Sequence, residues 1–247
     1  MLRQCSGSLR VAIVSALAFT LASCGAASGL GGGPEKISGI PSASQVTALE
    51  DPRSYQGQLA LQLTDDPVEP IAGDPVPQLP AVVTDNQGTV VEVADVSRVL
   101  PLDIYGTLSR IVFELGLGDN VIGRDISSSF PEIADVPLVT TDGHQLNAEA
   151  ILALNPSVII TDTSLGPWDV VLQLRDAGVP VVVVDSHRSP ENVEALTEAV
   201  GDALGLPEEG RALGERTRAR ITATQESIAT ITPESQTQQL RTVVLYA

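Results

Sequence analysis

Histidine is scarce in this 247-residue chain, and His144 is the most conspicuous candidate for metal chemistry. It is one of two histidines and lies in the glycine-marked turn "DGHQLN", just before a helix that we expect to begin at Ala148 with Asn147 as its N-cap. An imidazole there could coordinate a metal ion, or could simply be solvated or donate to a backbone carbonyl. The amide groups at the start of the helix could also receive a carboxylate of a ligand.

Thiol and hydrolytic chemistry find no support in the sequence. Cys5 and Cys24 are the two cysteines, and both lie in the first 24 residues. The rest of the chain therefore has neither a cysteine nucleophile nor a thiolate metal ligand. It also contains no Gly-x-Ser-x-Gly turn and no His-Glu-x-x-His motif. A hydrolytic enzyme therefore has no residues to support it, and we expect the protein not to be an enzyme.

Hydrophobic periodicity from residue 88 onward alternates between strand and helix patterns. Strands are expected at "TVVEV", "NVIGRD", "SVIITD" and "VPVVVVD", and helices at "GTLSRIVFELGL", "AEAILALN", "WDVVLQLRDAG" and "SPENVEALTEAVGDALGL". Continuous valine and isoleucine runs suit a parallel sheet buried on both faces. The sequence predicts an α/β lobe over residues 81–204, with the turn of His144 on the rim where open α/β sheets bind ligands.

The N-terminal residues have the pattern of an export signal. Two arginines precede an apolar run, Val11 to Ala22, which is too short to span a bilayer and suits a secretory signal. The run ends in "LASC", which resembles the lipobox of bacterial lipoproteins, where cleavage leaves an acylated cysteine. We expect a signal peptide over residues 1–23 and a lipid-anchored protein, attached through Cys24 to the outer face of the cytoplasmic membrane, at the cell surface or in the periplasm. An ordinary cleavage site is the alternative.

The remaining sequence predicts a tether, a long helix and part of a second lobe. Residues 24–80 are proline-rich with little periodicity and predict a flexible lipid-anchored tether, although "QLALQL" and "AVVTDNQGTVVEV" could form a small hairpin near its end. A connecting segment is expected over residues 205–232. Its helix is expected to start at Pro207 and to be roughly 35 Å long. Residues 240–247 resemble the opening strand "GTVVEVAD" and predict the start of a second α/β lobe that is truncated at the C-terminus. Pairing of this strand with the edge of the first sheet is the alternative.

An exported, lipid-tethered α/β lobe followed by a long helix resembles the substrate-binding lipoproteins of bacterial ABC importers. It is similar to the class with a rigid connecting helix, which handles metals, siderophores, cobalamin and haem. The segments "VLPLDIYGTLSRIVFELGLGDNVIGRD" and "LNAEAILALNPSVIITD" resemble the opening and the middle of that family's first lobe. The resemblance covers about residues 88–247. It implies capture of a small molecule between two lobes and delivery to an ABC permease in the cytoplasmic membrane.

Two short segments resemble haem-binding members of this family. "DGHQLNAEAILALNP" is similar to the segment in which a histidine coordinates the haem iron, and "VVLYA" is similar to the strand that supplies a tyrosine. The resemblance implies that His144 and Tyr246 are axial ligands of a transported haem and hold metal only through its iron. In that pattern an arginine follows two residues after the tyrosine, at position 248. Imidazole and phenolate are both known ligands of haem iron.

Three further residues are candidates for contacts with the bound haem. Tyr105 and Trp168 lie in strand-to-helix connections and could pack on a porphyrin face, although Trp168 could equally anchor its own helix. Arg188 could pair with a propionate. His187 beside it precedes a helix start, so capping or exposure explains it, and Asp103 could be a helix cap.

Other partners and ligands are weighed against haem. A net charge of −17 argues against nucleic acid, because phosphate contacts need clustered arginine or lysine. A zinc or manganese site would need three or four histidine and carboxylate ligands, and the chain has two histidines. A lipoprotein of the same fold that binds a ferric siderophore or cobalamin is the main alternative, since such a protein needs fewer side chains that coordinate the metal. A surface-attached scaffold that binds no small ligand is a further alternative.

Overall fold

The computed structural model describes residues 35–38, 49–57, 59–62, 67–141 and 143–232. Its strands in chain order are β1 (Glu35–Ser38), β2 (Leu59–Gln62), β3 (Ala81–Thr84), β4 (Val90–Val93), β5 (Val99–Leu102), β6 (Thr140–Thr141), β7 (Gln145–Leu146), β8 (Val158–Thr161) and β9 (Val181–Val183). Its α-helices are α1 (Thr107–Glu114), α2 (Ala148–Ala153), α3 (Trp168–Asp176), α4 (Val193–Ala203) and α5 (Pro207–Ile231).

A three-stranded parallel sheet, in the order β5–β8–β9, lies at the centre of the lobe. Successive side chains of a strand point to opposite faces, so neighbouring residues of β8 join different apolar clusters. Ile159 packs with residues of α2 and α3, whereas Ile160 packs with residues of β4, α1 and α4. Both faces of the sheet are therefore covered, which confirms the α/β prediction from the valine and isoleucine runs.

The strands of the sheet differ from the sequence prediction at two places. The first strand of the sheet is β5, whose Pro101 masks the strand pattern; because β5 is the edge strand of the three-stranded sheet, proline is tolerated there. The predicted strand "TVVEV" instead pairs antiparallel with β3 as a hairpin. The segment "NVIGRD" forms no strand and makes only isolated bridges at Val121 and Arg124, with Gly123 between them weakening extended pairing.

Residues 67–80 lie against the lobe, although the sequence pattern assigned them to the tether. The Ile71 amide donates to the carbonyl oxygen of Glu114 over 2.7 Å, and the Gln78 amide donates to that of Gly205 over 2.7 Å. Val68 and Ile71 also pack on the apolar cluster beneath α1. Backbone hydrogen bonds and two apolar side chains thus attach a segment whose prolines and weak periodicity suggested mobility. Further towards the N-terminus, β2 pairs in parallel with β1 and not with the hairpin.

Helices α4 and α5 form a tight helical hairpin. A Cβ atom on Gly201 would lie only 2.7 Å from the Cα atom of Gly210, so two glycines let the helix backbones approach closely. Helix α5 begins at Pro207, as predicted, and its 25 residues span about 38 Å. Among its residues only Gly210, Leu213 and Gly214 are buried, so its first half holds the contact with α4.

Several sequence predictions concern residues outside the described part of the chain. These are the signal peptide with Cys24, part of the tether, and the last strand with Tyr246. Within the described residues, no helix has both the length and the apolar character needed to cross a membrane.

Candidate functional site

His144 lies in a tight connection between two short strands. Strands β6 and β7 pair antiparallel, and the turn between them contains Gly143 at a φ of 87°, a backbone conformation that favours glycine. The Leu146 amide donates to the carbonyl oxygen of Gly166 over 2.8 Å, which fastens this connection to the loop before α3. The Asn147 side chain then accepts a hydrogen bond from the Ala150 amide over 3.0 Å, which confirms the predicted N-cap.

The His144 ring rests on a buried carboxylate. Its Nδ1 atom lies 3.2 Å from each carboxylate oxygen of Asp125. The Asp125 side chain is completely buried, whereas that of His144 is 36% exposed. One edge of the imidazole is therefore fixed inside the protein, while the ring as a whole reaches the surface.

The loop that carries Asp125 is itself firmly held. The Arg124 guanidinium donates from Nε to the carbonyl oxygen of Val136 over 3.0 Å and from Nη1 to that of Ser128 over 3.1 Å. The Ser127 amide donates to Asp125 Oδ1 over 2.8 Å, and the Ser127 hydroxyl donates to the carbonyl oxygen of Ile104 over 2.6 Å. These bonds give the aspartate a defined position that does not depend on the histidine.

A second polar cluster follows the carboxyl ends of the parallel strands. Asp103 comes directly after β5 and Asp162 directly after β8, and both side chains are fully buried. Arg188 reaches them with one nitrogen, Nη2, which lies 2.6 Å from Asp162 Oδ2 and 3.2 Å from Asp103 Oδ2. Its guanidinium carbon also lies 5.3 Å from the ring centroid of Tyr105, within the range of a cation–π contact.

Asp103 has two structural tasks in this cluster. It accepts hydrogen bonds from the Thr107 and Leu108 amides, both over 3.1 Å, so it caps the start of α1 as the sequence suggested. Burial raises the pKa of its carboxyl group, and this effect outweighs the hydrogen bond from Leu108 and the positive charge of Arg188. The nearby negative charge of Asp162 acts in the same direction as burial.

The histidine turn and the arginine cluster belong to one edge of the lobe. The Ile104 amide donates to the Ser164 hydroxyl oxygen over 3.0 Å, and the Ser164 amide donates to Asp162 Oδ1 over 2.8 Å. The carbonyl oxygen of the same Ile104 receives the Ser127 hydroxyl from the loop that carries Asp125. The two polar groups are therefore connected through the backbone of one residue, at the sheet edge where open α/β folds bind ligands.

The other sequence-predicted contact residues take different roles. Tyr105 is 56% exposed and offers its ring to solvent beside Arg188. Arg188 is occupied by two carboxylates, and Trp168 is partly buried against the apolar cluster of α2 and α3. Asp125 escaped the sequence analysis: it stands in the polar stretch "GRDISSS", and nothing local indicates which side chain it meets. Within the described residues, no group of three or more histidine, cysteine, aspartate or glutamate side chains could hold a metal ion.

Comparisons with curated proteins reveal two substrate-binding relatives. The uncharacterised ABC transporter substrate-binding lipoprotein YvrC of Bacillus subtilis is 28% identical over 131 residues, which are 52% of this chain and 41% of the relative. The vitamin B12-binding protein of Photorhabdus laumondii is 25% identical over 145 residues, which are 59% of this chain and 52% of the relative. The chain thus spans about half the length of these relatives.

Among solved structures, the heme-binding protein HmuT is similar. It is 43% identical with a TM-score of 0.71, over 74% of this chain and 59% of HmuT. Variants of HmuT with a histidine, a tyrosine or an arginine replaced by alanine match with TM-scores of 0.72 to 0.74.

The family signature of periplasmic binding proteins matches residues 104–239, which begin two residues after β5 and include the histidine turn, Asp162 and Arg188 of the second polar cluster, and α5. This match covers more than half of the chain. The chain therefore belongs to the periplasmic binding protein family.

Proposed function

We propose that this protein is an extracytoplasmic haem-binding lipoprotein that captures haem between two lobes and delivers it to an ABC permease for iron acquisition. The observation that carries the proposal is the placement of His144. Its imidazole is partly exposed at the ligand-binding edge of the sheet and is backed by the buried carboxylate of Asp125. A ring nitrogen in that setting can coordinate iron that a porphyrin already holds, and imidazole is a common axial ligand of haem.

Similarity to a haem-binding protein supports this choice of ligand. HmuT is 43% identical over 74% of the chain, and its crystallised variants include a replaced histidine and a replaced tyrosine. We infer that His144 and Tyr246 are the two axial ligands. Tyr246 lies outside the described residues, so its assignment rests on the resemblance of "VVLYA" to the tyrosine-bearing strand of haem-binding lipoproteins.

The exposed ring of Tyr105 is proposed to pack on the porphyrin. Tyr105 is on the same edge as His144 and is oriented by the guanidinium of Arg188. Arg188 itself is neutralised by Asp103 and Asp162, so a propionate would have to compete with two buried carboxylates. Its contribution is therefore to hold Tyr105, with any propionate contact secondary. Trp168 packs against the apolar cluster of α2 and α3.

Location and partner follow from the family and the N-terminal sequence. Periplasmic binding proteins work outside the cytoplasmic membrane with a permease, and the relative YvrC is described as a lipoprotein. We propose that acylation of Cys24 anchors the protein to the outer face of that membrane. Stable anchoring needs more than one acyl chain, which lipoprotein processing supplies.

The test is a haemin titration, followed by absorption spectroscopy, of the full-length protein from the residue after Cys24 to its natural stop codon. We expect a saturable one-to-one change of the Soret band, and a shifted or weakened band in His144→Ala. His187→Ala is the matched control, because it removes the other histidine, which is exposed. A wild-type protein without a saturable change, or a His144→Ala variant that behaves like wild type, contradicts haem ligation by His144.

Cobalamin is the second candidate, favoured by the match to a vitamin B12-binding protein. Equilibrium dialysis with cyanocobalamin, alone and in competition with haemin, separates the two. We expect haemin to be retained and cyanocobalamin to pass freely. The reverse result would move the assignment to cobalamin transport within the same family.

A further inference from the structure

The contact between Asp125 and His144 determines which ring nitrogen carries a hydrogen. An ionised carboxylate can only accept hydrogen bonds. Both Asp125 oxygens lie 3.2 Å from Nδ1, and the Asp125 side chain is shielded completely from water. A lone pair on Nδ1 would face two negatively charged oxygens, so Nδ1 is the nitrogen that carries the hydrogen in the neutral ring. Nε2 of the neutral ring then has a free lone pair.

The position of the carboxylate is fixed before any ligand arrives. Asp125 Oδ1 is held by the Ser127 amide at 2.8 Å, and the Ser128 amide donates to the Asp125 carbonyl oxygen over 3.1 Å. Arg124 ties the same loop to the carbonyl oxygen of Val136. The aspartate is thus a rigid acceptor against which the imidazole aligns.

We propose that Asp125 is a positioning residue that locks His144 in the Nδ1–H tautomer and presents Nε2 as the ligand atom for a metal-bearing ligand. The proposal rests on the haem-binding function, which it deepens by naming the coordinating atom and its support. In water, neutral histidine carries its hydrogen mainly on Nε2. A protonated Nε2 has no lone pair with which to coordinate a metal. The carboxylate reverses this preference and fixes the plane of the ring.

The substitution Asp125→Asn should shift the tautomer towards Nε2–H without removing the side chain. The Ser127 amide needs an acceptor at Oδ1, so the asparagine carbonyl oxygen will occupy that place. The amide NH₂ group then replaces Oδ2, 3.2 Å from His144 Nδ1, and can only donate. The oxygen at Oδ1 can still accept from Nδ1–H, but a lone pair on Nδ1 now finds a donor and no negative charge, so the Nε2–H population rises. Asp135→Asn is the control, because it removes the same charge from an exposed position of the same region.

The test is ¹H–¹⁵N correlation NMR of the histidine rings in the ligand-free protein, under conditions in which the imidazoles are neutral. With two histidines in the chain, His187→Ala assigns the signals and exposed His187 serves as the internal reference. We expect an Nδ1–H pattern for His144 in wild type and in Asp135→Asn, and a larger Nε2–H population in Asp125→Asn. An Nε2–H pattern in wild type overturns the proposal by itself, so the test does not depend on folding of the variant. An unchanged tautomer in Asp125→Asn also overturns it.

Haemin titrations then connect the tautomer to ligand binding. We expect Asp125→Asn to weaken haemin binding about 10- to 100-fold, the usual effect of losing such a partner, and to alter the Soret band in the direction of His144→Ala. Haemin binding by Asp125→Asn with wild-type affinity and spectrum contradicts a positioning role. If NMR shows the Nδ1–H tautomer but His144→Ala leaves the haemin spectrum unchanged, the haem proposal fails and the effect of Asp125 on the ring stands.

Discussion

Arg188 lies over the ring of Tyr105, with its guanidinium carbon 5.3 Å from the ring centroid, while the same guanidinium contacts two buried aspartate side chains. One arginine thus joins an exposed aromatic ring to groups inside the sheet edge. Rigid placement of a site residue requires support of this kind, because an exposed tyrosine alone would sample several rotamers.

Arg188→Leu should strongly destabilise the folded protein. The substitution leaves Asp103 and Asp162 buried without their positive partner, and breaking a buried ion pair on one side costs about 3 kcal/mol or more. Urea unfolding should show a lower midpoint with an unchanged slope. Arg53→Leu is the matched control, since its pair with Asp51 is exposed and little change is expected. Equal stability of the two variants would contradict a structural role for Arg188.

The raised pKa of Asp103 predicts how stability changes with pH. The folded protein keeps a proton on this carboxyl group at pH values where the unfolded chain has lost it. Its contribution to the free energy of unfolding is therefore fully present below the unfolded pKa of 3.8 and is lost as the pH rises through the higher folded pKa.

Asp103→Asn removes this titration. The stability of wild type relative to the variant should increase as the pH falls from about 7 towards about 4, because only wild type takes up the proton. Urea unfolding of both proteins at several pH values measures the difference. A difference that is constant, or that decreases on acidification, would show that burial does not dominate the pKa of Asp103.

Local sequence patterns were sufficient for the elements around the site. The valine and isoleucine runs predicted β8 and β9, and Asn147 predicted the start of α2, since each depends on neighbouring residues. Strand β5 was missed because Pro101 breaks the strand pattern, and proline is tolerated there only because of the place of β5 at the edge of the sheet. That place is a property of the assembled sheet.

Contacts between distant residues were beyond the sequence. Asp125 precedes His144 by 19 residues, and a loop with only isolated bridges brings them together. Arg188 meets Asp162 and Asp103 across 26 and 85 residues because β5, β8 and β9 end at one edge. The proposed ligand residue, His144, could be singled out from its local motif, whereas the groups that contact it depend on strand order and loop path.

Gly201→Ala should destabilise the protein although alanine is the better helix former. Intrinsic propensity favours alanine by about 1 kcal/mol in a helix. A Cβ atom at this position would lie 2.7 Å from the Gly210 Cα atom and 2.8 Å from the Leu206 carbonyl oxygen, so α4 and α5 must separate. Overpacking typically costs about 1–3 kcal/mol, and we expect a net loss of about 1 kcal/mol in the free energy of unfolding, measured by thermal or urea unfolding.

Gly73→Ala, where nothing lies within 4 Å of the added atom, is the control. A more stable Gly201→Ala protein would show that the helix contact can relax.

Tyr105→Ala separates a packing contact from iron coordination. Tyr105 is 56% exposed, so its removal leaves no cavity in the core, and an aromatic ring stacked on a porphyrin contributes about 0.5–1.5 kcal/mol. We expect haemin binding to weaken about 2- to 10-fold while the position of the Soret band is unchanged, because the axial ligands are intact.

Tyr55→Ala, which removes another exposed tyrosine, should bind haemin like wild type. A shifted Soret band in Tyr105→Ala would mean that this residue, and not only His144, determines the coordination of the iron. Unchanged affinity would place the porphyrin away from Tyr105 and leave the Arg188 cluster as a purely structural support of the sheet edge.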